Sequence, residues 1–416
     1  MKPDFDIIIV GGGIAGFTLA LLLHKKGFKP HVFEAAGEIR PLGLGINLLP
    51  HSTKVLDEIG VLPDMATQSI ETKEASFYNR FGQHIYSEPL GLAAGYEQPQ
   101  LSIHRADIQQ PLIDAFLARA GADHFHLGHR CTSVEQDEDS ATVHFENQET
   151  GAQLPSWTGD AVISTEGIHS AIRRQFHPEE GDPVYSGVNM WRGVVVCKPF
   201  LSGATMTRVG WLSTGKMVIY PVRDNVDGKG SQLINWVAEL ETPDYKDKRD
   251  WNKPGRLEDF IGHFDDMAFN WLDIPDMIRR TESIFEFPMV DQDPLDRWTE
   301  GLVTLMGDAA HPMYPRGSNG AGQAIMDAKY LAEVLNLDSD PREVLKAYEV
   351  ERLPATSKVV LTNRSTPPDA VLQVVFERTG DKPFDNIEDV VSRDELVAIT
   401  SRYKQVAGYD LKQLKG

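Results

Sequence analysis

Residues Ile7–Leu23 read IIIVGGGIAGFTLALLL, and how this stretch is read decides the fold. A charge-free run of this length invites a membrane span or a signal peptide. The acids Asp4 and Asp6 precede it where a leader carries bases, four glycines interrupt it, and no small-residue cleavage site follows. The better reading is strand, tight turn, helix. Ile7–Val10 is the continuous apolar run of a parallel strand covered on both faces. Gly11, Gly13 and Gly16 then set G-x-G-x-x-G at the junction. The first permits the turn, the second lets backbone approach a pyrophosphate, and the third lets helix pack on strand. Ile14 and Ala15 open the helix, whose free N–H groups and partial positive charge suit phosphates.

Working outward, KPHVFEAA reads as a second strand ending at Glu34, an acid at the spacing expected of a ribose ligand. A dinucleotide is therefore expected here, with NAD and FAD both open, and no second fingerprint in strand context follows. Composition agrees with a globular chain: 416 residues, 41% hydrophobic, 25% charged. Asp plus Glu total 61 against 41 for Lys plus Arg, a net charge of -20 that argues against a nucleic-acid binder. Cys131 and Cys197 lack metal-ligand spacing and are too few for a disulfide scaffold, so no metal site and a reduced, cytoplasmic setting are expected.

A second stretch, GDAAHPMYPRGSNGAGQAIMDA (Gly307–Ala328), separates NAD from FAD. Val303–Met306 reads as a buried strand leading to Asp308, and GQAIMDAKYLAEVL as a helix with Ala324, Ile325, Ala328, Leu331 and Leu335 on one stripe. An acid at the carboxyl end of a parallel strand lies where doubly wound sheets bind ligands. Asp308 suits a polyol hydroxyl, and the helix start suits negative charge on a ring. A reduced flavin on ribitol offers both.

Taken together, these motifs resemble the class A flavoprotein aromatic monooxygenases of the para-hydroxybenzoate hydroxylase fold. GDAAHP matches their GD motif, and the likeness extends through EIRPLGLGIN (Glu38–Asn47), SIHRADIQ (Ser102–Gln109) and YEVERLP (Tyr348–Pro354). Further stretches, MWRGV (Met190–Val194), NWV (Asn235–Val237), GRLED (Gly255–Asp259) and PMVDQDPLDRW (Pro288–Trp298), are similar to the branch acting on 5-methylphenazine-1-carboxylate. That is a likeness of subfamily, not of substrate.

The resemblance implies an α/β fold: a Rossmann-like, glutathione-reductase-like FAD-binding domain interleaved with a mixed β-sheet substrate domain, plus C-terminal helices. On this division residues 1–74, 101–185 and 288–365 bind FAD, 75–100 and 186–287 form the substrate sheet, and 366–416 form a tail. It also implies an enzyme holding FAD non-covalently and taking NADH or NADPH as transient reductant. O2 and an aromatic or heteroaromatic substrate then meet through a flavin C4a-hydroperoxide. Glu34 would hold the adenosine ribose, Arg105 would steady the FAD, and Asp308 would bind the ribityl chain. Ala321 and Gly322 would face the flavin pyrimidine edge, Gly320 and Gly45 would contact the cofactor, and the Pro315 carbonyl would lie beside the substrate. In place of the family's Asp-Gly, STEGIHSAIRR carries Glu166, one methylene longer, at the element linked to the pyrophosphate and the nicotinamide. Arg316 is a second departure, a cation where a small or apolar residue is usual.

The substrate half reads as sheet. ASFYNRFGQHIYSE (Ala75–Glu88) is a hairpin turning near Gly82, and VNMWRGVVV, MVIYPV and LINWVAEL are strands. Arg192 and Tyr220 on that roof are the candidate substrate-orienting residues, since polar groups in apolar pockets orient ligands. His311 in the HP pair is read as a loop-shaping element, and both cysteines as core. The tail from Phe376 is polar and helix-like, with FERTGDKPFDN as a connection. A flavin dehydrogenase or oxidase without oxygen transfer is the alternative function, and a non-enzymatic nucleotide sensor a third. A flavin halogenase is disfavoured because W-x-W-x-I-P is absent. Neither nucleic acid nor membrane is an expected partner, and monomer and homodimer both stay open.

Overall fold

The computed structural model describes residues 5–39, 44–244 and 253–414, so Asp4 and residues 40–43 of EIRPLGLGIN lie outside the described residues. The fold is α/β, with a parallel-rich sheet carrying the fingerprint and a larger mixed sheet beside it. The first sheet runs Thr299–Glu300, Val303–Leu305, Ala161–Ser164, Ile7–Val10, His31–Phe33, Phe125–His126 in spatial order. Ile7–Val10 is buried along its whole length because it pairs in parallel with Ala161–Ser164 on one side and His31–Phe33 on the other. Ala161–Ser164 in turn pairs in parallel with Val303–Leu305, which brings the start, middle and last third of the chain side by side.

The second sheet has eight strands, in the order Lys253–Pro254, Phe285–Asp291, Val184–Cys197, Gln232–Glu241, Gly215–Arg223, Thr205–Trp211, Glu74–Tyr78, His84–Pro89. Its neighbours are antiparallel except where Thr205–Trp211 meets Glu74–Tyr78. The expected hairpin forms the edge, with Gly82 at φ 78° in its turn. Because successive side chains alternate across a strand, Trp191, Ile219 and Trp236 point one way. They pack on Phe260, Phe264 and Met277. Met190, Val218, Val237 and Phe287 form the other face with Met289, Leu212 and Tyr314, the last reaching in from the loop after the GD motif.

Two small three-stranded sheets were not anticipated. One joins Gly45–Leu48, Leu101–His104 and Ser69–Glu71; the other joins His129–Gln136, Ala141–Asn147 and Gln153–Gly159. The strand before Asp308 ends at Leu305 rather than Met306, since Gly307 turns the chain at φ 62°. The connection expected at FERTGDKPFDN begins later than its first residue. Phe376–Thr379 finishes the helix Ala370–Thr379, which Gly380 stops in the left-handed region at φ 60°. That helix forms because Val371, Leu372 and Val375 bury one face on Ala75, Phe77 and Ile85 of the hairpin. The tail continues as Arg393–Val406 and Leu411–Leu414. Among the described residues no helix is long and apolar enough to cross a membrane, and no group of acids, histidines and cysteines has metal-site geometry.

Candidate functional site

The three fingerprint glycines have different reasons to be glycine. Gly11 sits at φ 114°, and a Cβ there would lie 2.4 Å from the Thr165 carbonyl oxygen. A Cβ on Gly16 would lie 2.1 Å from the Gly11 oxygen. Thr165 Oγ1 locks this crossing by donating to the Gly11 carbonyl at 2.7 Å and the Val10 carbonyl at 3.0 Å. Gly13 is another case: a Cβ there would meet no heavy atom within 4 Å. Protein packing requires the first and third glycines, whereas the second faces open space at the start of helix Ile14–Lys25. A pyrophosphate fits that space. Beside it, Glu34 accepts from the Gly12 N–H and the Ala36 N–H, both at 2.8 Å, one on each carboxylate oxygen. Each oxygen keeps a lone pair for a hydroxyl. Gln109, unremarked in the sequence, holds the turn by donating to the Gly12 carbonyl at 3.0 Å.

The GD motif meets this element directly. A Cβ on Gly307 would lie 3.4 Å from Ala15 Cβ and 3.1 Å from Ala324 Cβ, so both glycine-led helices start at one crevice. Asp308 is exposed on the cleft side while protein crowds its other sides. That crowding raises its carboxyl pKa, against the lowering pull of His311 and Arg105. Arg105 opens helix Arg105–Ala120 and influences Arg192 as well as Asp308. The donor set therefore suits a polyol-bearing dinucleotide: a carboxylate for hydroxyls at each end and free N–H groups between.

Past Asp308 the loop turns through Pro315–Gly317 and Ser318, at φ 52°, before helix Gly320–Val334 begins. Gly320 and Ala321 are half-buried at that helix start, and a Cβ on Gly320 would lie 4.0 Å from Asp308 Oδ1. At Gly322 a Cβ would press on Asn319 Oδ1 at 2.5 Å and His51 Nε2 at 2.8 Å. Burial, reinforced by Arg352, pushes the His51 pKa down to about 4, so this imidazole is neutral. On the buried face of this helix, Asp327 accepts from Arg352 Nε at 2.8 Å and the Gly307 N–H at 3.1 Å, and pairs with His311 Nε2 at 2.5 Å. Burial would raise the Asp327 carboxyl, but His311 and Arg352 pull it below the ordinary value. His311 is thus engaged with Asp327 at the base of the loop.

Sequence reasoning missed Asp327 and Arg352, as well as the tail residues that brace this loop. Tyr403 donates to Asn363 Oδ1 at 2.8 Å and stands where a Gly317 side chain would be, and Gln323 Nε2 donates to the Ala407 carbonyl at 2.8 Å.

Glu166 turns inward. Ser164 and Ser170 hydroxyls donate to it at 2.8 Å each, and the Ala171 N–H at 3.2 Å, so its carboxylate caps helix Ala171–Phe176. The extra methylene is used to reach that helix start. Arg173, also missed, is buried and clasps the GD turn, donating from one nitrogen to the Ala309 and Ala310 carbonyls at 2.8 Å each. Two adjacent arginines after STEGIHS were the available signal.

On the roof, Arg192 Nη2 and the Tyr220 hydroxyl both donate to the Gly45 carbonyl, at 3.1 and 2.9 Å, while the Gly45 N–H donates to Asn235 Oδ1 at 2.7 Å. Gly45 is required because a Cβ would lie 2.7 Å from Asn235 Cβ and Val222 Cγ1. The eight-stranded sheet and the small sheet of Gly45–Leu48 are fastened here. Burial raises the Tyr220 pKa against the pull of Arg192, and burial lowers that of Arg192 against the pull of Tyr220. The Arg192 guanidinium lies 5.9 Å from the Phe287 ring centre, at the edge of the apolar face.

With this geometry in place, the chain matches the FAD binding domain family over residues 4–236 and 270–363. The chain belongs to that family. It is 37% identical over 404 residues to the phenazine 1,6-dicarboxylic acid hydroxylase of Lysobacter antibioticus, covering 96% of this chain and 97% of the other. It is 31% identical over 362 residues to a 3-amino-4-hydroxybenzoate 2-monooxygenase of Streptomyces cremeus, covering 86% and 85%. In fold it is similar to a salicylate hydroxylase solved with substrate, at a TM-score of 0.72 and 22% identity, covering 100% of this chain and 98% of that one. The two relatives are by name a hydroxylase and a monooxygenase of aromatic acids, and FAD is the family's cofactor.

Proposed function

We propose that this chain is an FAD-dependent, NAD(P)H-consuming monooxygenase that hydroxylates an aromatic or heteroaromatic ring. The observation that carries the FAD part is the meeting of the two glycine-led helices at Ala15 and Gly307, with open space at Gly13 and an outward Asp308. The relatives' hydroxylase activities support the reaction class.

Bound FAD would supply O2 activation and oxygen transfer to the ring, as flavins carry the chemistry that side chains cannot. This chain's residues position, exclude and tune. Glu34 and Asp308 would hold hydroxyls of the cofactor, Gly11, Gly13, Ile14, Ala15 and Gly16 would receive its phosphates, and Arg105 would steady it. The helix start at Gly320, Ala321 and Gly322 offers N–H groups and a positive dipole end to a ring that gains negative charge. The Pro315 carbonyl would lie beside the ring to be hydroxylated. Met190, Val218, Val237 and Phe287 supply the apolar face that excludes water from it. Arg192 and Tyr220 hold the roof at its working distance through Gly45. Arg173 keeps the GD turn in register, and Glu166 holds the start of the short helix that carries Arg173.

The test is a screen of hydroxylated benzoates, pyridines, quinolines and phenazines for stimulated NADH and NADPH oxidation, followed by ¹⁸O2 and product mass. Stimulation of about tenfold, roughly 1.4 kcal/mol of barrier, with one ¹⁸O in the product is the expected result. Oxidation without ¹⁸O in product would instead identify a dehydrogenase or oxidase.

A further inference from the structure

Arg316 stands out among the cations near the apolar face. The chain carries a net charge of -20, yet several arginines and a lysine gather behind this face. Nearly all are spent on carboxylates. Arg364 grips Asp291 through two nitrogens, at 2.9 and 2.8 Å, and reaches Asp293 at 2.6 Å. Arg208 pairs with Asp369 at 2.9 Å, and Lys216 bridges Asp369 and Glu239. Arg192 is engaged by the Gly45 carbonyl. Arg316 is half-buried and, among the described residues, makes neither a hydrogen bond nor an ion pair. Its contact is with a ring: its guanidinium carbon lies 5.8 Å from the centre of Tyr314. Asp291 and Asp369 feel its field, but each already has a cation bound to it.

Tyr314 shares its apolar cluster with Phe287, the ring that Arg192 overlies. Tyr314 is also overlain by Arg364, at 6.0 Å, so among the described residues only Arg316, of the three guanidinium groups on these two rings, has no hydrogen-bonded partner. Asp291 and Asp369 lend Arg316 only attraction at a distance, and a ligand anion would give this half-buried guanidinium the hydrogen-bonded partner it lacks. Guanidinium matches a carboxylate with two parallel hydrogen bonds, a geometry that lysine does not reproduce.

We propose that Arg316 is a specificity-determining residue that selects aromatic substrates bearing a carboxylate. This rests on the aromatic hydroxylase reading above and adds to it a substrate charge and the side chain that reads it. The holoenzyme is titrated, by perturbation of flavin absorbance, with two pairs of rings. These are phenazine-1-carboxylate against its carboxamide, and salicylate against salicylamide. Steady-state KM and kcat are measured for whichever members are turned over. Wild type is expected to prefer a carboxylate over its carboxamide by about tenfold or more. Arg316→Gln is expected to erase that ratio, and Arg316→Lys to restore part of it. The loss should fall on KM rather than kcat. If Arg316→Gln holds too little FAD, the ratio is taken from Arg316→Lys and Arg316→Met at matched FAD loading. A preference that survives the substitution, or turnover confined to uncharged rings, overturns the assignment of Arg316 alone. If no aromatic of the wider screen raises NAD(P)H oxidation, it is the hydroxylase reading that falls.

Discussion

Gly13→Ala should separate cofactor binding from folding. Gly13 has φ -86° and ψ -170°, a conformation open to any L-residue, and its added Cβ would touch no protein atom within 4 Å. The folded chain should therefore accept alanine with a stability change within about 0.5 kcal/mol, as at sites free of packing or strain. FAD should not accept it. A methyl group at the helix start occupies the close-approach position of the pyrophosphate, and moving the phosphates off the N–H groups forfeits one or two charge-assisted hydrogen bonds. At roughly 1.5–3 kcal/mol each, that is about tenfold to ten-thousandfold in affinity. Gly16→Ala is the control, because its Cβ would lie 2.1 Å from a backbone oxygen and must push helix from strand. Overpacking of this kind costs about 1–3 kcal/mol or more. The assay pairs thermal melts of FAD-stripped protein with titration of FAD by flavin fluorescence. Gly13→Ala with wild-type FAD affinity, or with a stripped-protein melt lowered as much as that of Gly16→Ala, would refute the reasoning.

Arg173→Ala should cost about 3–5 kcal/mol, since it leaves Glu180 and two carbonyls of the GD turn without their partner; chemical denaturation measures it, and an unchanged midpoint counts against the clasp. Arg192→Ala should raise KM while FAD content stays near one per chain; loss of FAD with KM unmoved would place Arg192 at the cofactor alone. Acid should destabilise the protein through His51, which stays neutral down to about 4 when folded. Its unfolded value is near 6.5, so the unfolded chain binds the extra proton between these values. The contribution is complete above about pH 6.5 and is lost as pH falls toward 4, amounting to about 3 kcal/mol. His51→Asn should flatten the stability–pH curve over that window; an unaltered slope removes His51 as its source.

Local chemistry was legible in the sequence, and long-range pairing was not. The fingerprint, Glu34, the GD turn and the hairpin at Gly82 declare themselves because glycine, acid and apolar run act within a few residues of one another. Gly45 was picked out by likeness, but its reason lies in Asn235 and Val222, far along the chain. Arg173 and Asp327 look like ordinary surface charges until folding buries each against the GD turn, with Arg352 drawn onto Asp327, and no spacing announces that. The helical end of FERTGDKPFDN was hidden because FERT is polar on the side it shows to solvent, and only Val371, Leu372 and Val375 before it carry the stripe. Glu166 read as a lengthened copy of the family's acid; its contacts with Ser164, Ser170 and Ala171 show a carboxylate that has found a helix start.

The tail has a temporal meaning. Ile7–Val10 leaves the ribosome well before its parallel neighbour Ala161–Ser164, and the next strand comes later still with Val303–Leu305. The loop that delivers Gly320 waits longer still, for Tyr403 to settle against Gly317 and for Ala407 to receive Gln323. Contacts of such sequence separation form late, after their loop-closure entropy has been met. Flavin capture therefore waits on these residues: a nascent chain halted before residue 403 carries a finished fingerprint without a finished ring site. Trimming the last helices should yield colourless protein even though every residue of both glycine motifs is present.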